Sequence, residues 1–91
     1  MKTETLKQAI EYVLSNSKVQ EYINKMENLP NQFVIAQISA GVTNYQKNII
    51  RVFINFNERG NPNNFKEDAI IDIQGTAFGD FKIVGMLPYQ Q

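Results

Sequence analysis

Cysteine, histidine and tryptophan are all missing from this 91-residue chain. Without cysteine no disulfide supports the small core of so short a chain, so packing alone must hold it together, and a reducing compartment is expected. Without histidine or cysteine there is no imidazole general acid or base, no thiol nucleophile, no Cys/His zinc site and no Ser-His-Asp triad. Any chemistry would fall to carboxylates, Lys, Tyr, Ser or Thr. The expectation is therefore a non-enzymatic protein without catalytic residues, cofactor or metal. Charge of one sign is also lacking. Nine basic and nine acidic residues cancel, whereas proteins that grip phosphate backbones carry a basic excess. No apolar run approaches the roughly 18 residues needed to span a bilayer. The first twenty residues carry Glu4 and Glu11 and no uninterrupted apolar stretch, so neither a membrane span nor a secretory leader is expected. Together these absences point to the cytoplasm.

What is present is ordinary globular material, 43% hydrophobic and 20% charged, enough for one domain over residues 1–91. Eleven Asn and eleven Ile fit AT-rich coding, and suggest a low-GC bacterium or one of its phages as the source. That bias carries no mechanism.

Periodicity divides the chain in two. Leu6, Ile10, Val13 and Leu14 form one helical stripe, and Val19, Tyr22, Ile23 and Met26 form another. At about 100° per residue, the two stripes would centre about 185° apart on one straight helix. Two helices with a break near residue 16 resolve the conflict, with Ser15-Asn16-Ser17 as breaker and Ser17 with Gln20 as a capping box. Pro30 ends the second. From Gln32 the period becomes two. Strands are expected over Phe33–Ala40, over Ile49–Phe56, over Ala69–Gln74 and over Phe81–Leu87, with polar turns at 41–48, 57–64 and 75–80 and closure by Pro88. Short connections favour antiparallel neighbours. The predicted fold is α+β: two N-terminal helices packed on a four-stranded antiparallel β-meander (ααββββ) in two layers.

Several motifs are weak. Residues 55–66 resemble a calcium loop, but Arg59 stands where a ligand belongs and Lys66 where a bidentate Glu is needed. Asp80-Phe81-Lys82, with Asp68 and Asp72, has the residue types of a metal-dependent nuclease. The same residues are explained by a turn and a solvated strand face. Gly75, Gly79 and Gly85 precede a strand and not a helix, so they form no phosphate cradle; Gly85 fits a bulge or close packing. Tyr45, Lys47, Arg51 and Phe53 mix cations with aromatics as nucleic-acid binders do, against a neutral total charge. Nucleic acid is not the expected partner.

The departure from simple alternation is more informative. An antiparallel sheet with one wet face reads apolar inward and polar outward. Here Ile50, Val52, Ile54, Phe56, Ile71 and Ile73 make one face, yet Ile49, Phe53, Ile70, Val84 and Met86 fall on the other, interrupted by Arg51, Asp72, Gln74 and Lys82. A patch of that size on a small monomer tends to be functional. Ile49, Arg51, Phe53, Ile70, Val84 and Met86 are therefore candidates for binding a second copy of the chain, as a homodimer or larger assembly, or a different protein, with Phe53 and Arg51 as anchors. Helices on opposite faces would remove the patch. The alternative site is polar: Asn44, Tyr45, Asn57, Arg59 and Asn61 in the turns suit a nucleotide or a sugar, held between subunits.

Overall fold

In the computed structural model, residues 3–75 and 80–87 are described. Helix α1 spans Thr3–Ser15 and α2 spans Ser17–Glu27, followed by strands β1 (Phe33–Asn44), β2 (Ile49–Glu58), β3 (Asn61–Gly75) and β4 (Phe81–Leu87). The strands pair antiparallel in the order β1-β2-β3-β4. This is the two-helix, four-strand α+β meander that periodicity predicts.

The break between the helices falls at Asn16, whose backbone is extended and whose Oδ1 accepts hydrogen bonds from the Lys18 and Val19 amides at 3.0 and 3.3 Å. The cap is thus Asn16 and not the expected Ser17, which is already the first helical residue. Asn is as good an N-cap as Ser, and Val19, the first residue of the α2 apolar stripe, is buried. Gln20 also departs from a capping box: its Nε2 donates to the Leu14 carbonyl at 2.8 Å, satisfying a terminal acceptor of α1. Asn28 closes α2, its amide and its side-chain Nδ2 both donating to the Asn24 carbonyl.

Both helices lie on one face of the sheet. Ala9 and Val13 of α1 and Val19, Tyr22 and Met26 of α2 share a single buried cluster with Ile50, Val52, Ile54 and Phe56 of β2 and Ala69, Ile71 and Ile73 of β3. Tyr22 meets Phe56 edge-on, with ring centroids 5.7 Å apart, and Tyr12 meets Phe81 at 5.6 Å. Each fully buried Ile, Val or Phe stabilises the fold by about 1.5–3 kcal/mol, so the alternate residues of β2 and β3 dominate stability.

The strands run further than local composition suggests. β1 continues past Ala40 to Asn44, and β2 to Glu58. Residues 57–64, expected to be a loop, are mostly strand: Glu58 faces Asn61 across a tight Arg59-Gly60 turn, with Gly60 at φ 82° where a side chain would be strained. Pro62 is tolerated because it falls in the register shift of the β2–β3 pairing and has no partner on β2, and among the described residues β4 pairs with β3 from Ile70 onward. Much of the expected turn at 75–80, with Gly79, and the closing Pro88 lie outside the described residues. β1 carries register shifts between Ile35 and Gln37 and between Val42 and Asn44, and the β3–β4 pairing carries one between Asp72 and Ile73.

Replacing Asn16 by Ala removes two accepted amide bonds and should cost about 1 kcal/mol. Ser17→Ala should stay within about 0.5 kcal/mol. Urea midpoints of the two variants test which residue caps α2; equal losses would contradict the assignment.

Candidate functional site

With the helices on one face, alternation sends every second residue of the sheet to the other, where no described element covers it. The pairings arrange these residues in rows. The central row is Gly41, Arg51, Asp72 and Gly85. On one side of it stand Ser39, Phe53, Ile70 and Leu87; on the other stand Asn44, Ile49, Gln74 and Lys82.

Arg51 and Asp72 form a two-pronged ion pair, Nε donating to Oδ1 at 2.8 Å and Nη2 to Oδ2 at 3.1 Å. The hydrogen bond and the charge of Asp72 raise the Arg51 pKa above its ordinary value, so the guanidinium stays charged throughout the physiological range. The fork holds both side chains flat across β2 and β3. Glycine ends the row on both edges, leaving low ground beside the pair. On the β4 side this becomes a hollow of about 190 Å³, lined by Arg51, Ile70, Asp72, Gly85, Met86 and Leu87.

Five of the six expected surface residues fall on this face. Ile49, Arg51, Phe53 and Ile70 are half-buried there, and Val84 is 48% exposed. Met86 is a correction. It stands opposite the fully buried Ile71 and packs against the core cluster, with only an edge on the hollow. The cause is the register shift between Asp72 and Ile73: one extra residue in β4 reverses the faces of all that follow. Leu87, opposite Ile70 and 48% exposed, takes the place expected of Met86. Gly85 within a strand is the available signal for that bulge.

The polar candidates are not brought together within one chain. Asn44 and Tyr45 lie at one end of β2, and Asn57, Arg59 and Asn61 at the other, about 30 Å away at roughly 3.3 Å per residue. Several already have structural roles. Asn44 Oδ1 accepts the Lys47 amide at 3.0 Å inside the turn, Asn48 takes the left-handed conformation there (φ 56°), and Gln74 Nε2 donates to the Lys47 carbonyl. At the far end the Arg59 amide donates to the Gln32 carbonyl at 2.8 Å. Asn57 Oδ1 is buried without a hydrogen-bond partner, and Tyr45 is 73% exposed.

The other motifs are likewise dispersed. Tyr45 and Lys47 sit on the β1–β2 turn while Arg51 and Phe53 sit on the sheet, with the guanidinium engaged by Asp72. Asp72 is held by Arg51, and no group of three or more acidic residues among those described could hold a metal ion. No helix among the described residues is long and apolar enough to cross a membrane. Compared with known proteins, the chain matches no protein family, no curated protein and no solved structure.

A Cβ built on Gly85 would meet the Asp72 side chain at 3.8 Å, an ordinary contact. Gly85→Ala should therefore stabilise by about 0.5–1 kcal/mol, the usual gain from removing a strand glycine. A lower thermal midpoint for this variant would show that the hollow beside Asp72 cannot accept even a methyl group.

Proposed function

We propose that this chain is a non-enzymatic protein-binding module, an accessory or inhibitory protein of the cytoplasm in a low-GC bacterium or a phage-infected cell, and that the uncovered sheet face is its binding surface. The observation that carries this reading is the composition of that face. Ile49, Phe53, Ile70, Val84 and Leu87 surround an ion pair whose fork is already satisfied. Such a surface resembles the core of an interface more than a wet sheet face, which in antiparallel sheets is predominantly polar. Phe53 and Arg51 are the residue types that most often anchor interfaces. A small domain also gains stability by covering such a face, which favours a second copy as the occupant. Separation of the polar turn residues along the length of β2 weighs against a nucleotide or sugar site inside one chain.

Native mass spectrometry and sedimentation of the wild-type chain should show an assembly that Phe53→Glu disperses, with unchanged circular dichroism. Phe53 lies outside the buried cluster, so the charge is expected to spare the fold. A wild-type chain that stays monomeric up to several hundred micromolar would remove self-association. An assembly unaffected by Phe53→Glu would place the binding surface elsewhere.

A further inference from the structure

Resting on the reading of the uncovered face as a protein-binding surface, we propose that its occupant is a second copy docked about a two-fold axis parallel to the strands, between β2 and β3. In this closed pair each Arg51 guanidinium lies over the Asp72 carboxylate of the other copy.

The charges select the operator. Arg51 and Asp72 are neighbours in one row, on the two central strands. A two-fold axis lying in the interface exchanges the copies, and its direction and position are free; the axes that pass through the central row bring the four charges together. An axis perpendicular to the strands through this row would set β2 over β2, with Arg51 over Arg51 and Asp72 over Asp72. Like charges so juxtaposed oppose docking. An axis along the strands sets β2 over β3 and alternates the four charges around the dyad. Both groups remain accessible for this, the side chains of Arg51 and Asp72 being 41% and 24% exposed. Each would keep its partner within the chain while gaining one across the interface, so no charge is buried alone.

The same operator matches the sizes of the remaining side chains. It leaves each row facing its own copy in reverse order. Phe53 then lies over Ile70, and the exposed Leu87 lies over Ser39. Val84, beside Gly85 on β4, lies over Gly41. The protruding apolar residues of β4 thus meet the small residues of β1, and both margins of the central row, being glycine, let the backbones approach. Lys82 falls over Asn44, so no row places like charge over like. Two twisted sheets pack face to face within about 30° of alignment, and the four charges, in the middle row of the face, are least displaced by that rotation.

Area sets the expected strength. Four strands and the seven residues 49–55 give a footprint of roughly 450 Å² per copy, against about 800 Å² per partner in a standard interface. The pair should therefore be concentration-dependent.

The test uses three variants of the full chain: Arg51→Glu, Asp72→Arg, and the double exchange carrying both. All three alter side chains of the uncovered face, and circular dichroism checks that each still folds. Each single variant should self-associate at least about tenfold more weakly than wild type, whereas an equal mixture of the two should pair. The double exchange should restore a homodimer. Isotope-labelled wild type mixed with the double exchange should sort into two separate homodimers, because a mixed pair would set cation over cation and carboxylate over carboxylate. A statistical mixture of species would overturn the axis while leaving the face as the binding surface. A wild-type chain that dimerises and is disrupted by Phe53→Glu, yet is indifferent to the single charge changes, would also overturn the axis alone. Absence of any wild-type dimer would overturn the self-pairing altogether.

Discussion

Burial of Ile50, Val52, Ile54 and Phe56 beneath the two helices fixes the register of β2, and because side chains alternate, the same burial presents Ile49, Arg51, Phe53 and Asn55 to solvent. β2 lies between β1 and β3 and is paired along its full length, so its choice of face propagates through the sheet. Ala69, Ile71 and Ile73 follow inward on β3, and Asp72 is carried outward to meet Arg51. The ion pair is thus a consequence of core packing. Exposed ion pairs contribute little to stability, whereas the buried face contributes most of it; the outer face is free to vary without endangering the fold.

The two helices, their break and the clearest strand are legible because each has a strong periodic signal. The opposed stripes on residues 6–14 and 19–26 demand a break, and the break is found at Asn16. Its cap is displaced by one residue because Asn16 and Ser17 are both capping types, which local composition does not distinguish; the amides of Lys18 and Val19 are bonded to Asn16. Residues 57–64 depart from the loop reading for a different reason. Asn, Gly and Pro are poor strand formers by local preference, but pairing of Asn57 with Phe65 and of Glu58 with Asn61 closes the hairpin around the Arg59-Gly60 turn, and residues 62–64 fall in the register shift between those two pairs.

The candidate face is legible strand by strand and not across strands. Ile49, Arg51, Phe53 and Ile70 follow directly from alternation. Which of Val84, Met86 and Leu87 joins them depends on a single extra residue in β4, and alternation cannot be carried through a bulge. The pairing of Arg51 with Asp72, separated by 21 positions, is likewise a property of register between strands. Periodicity within one strand does not contain it.

The irregular pairings have a consequence for how the sheet can be extended. β1 forms one margin, and its pairing with β2 shifts register at two places; β4 forms the other, and its pairing slips near Gly85. Bulges of this kind interrupt the run of backbone donors and acceptors that an edge offers to an incoming strand. Ribbon-like growth, copy added to copy along the hydrogen-bonding direction, is disfavoured at both ends. A closed face-to-face pair, by contrast, adds no strand to the sheet, so its growth would stop at two copies.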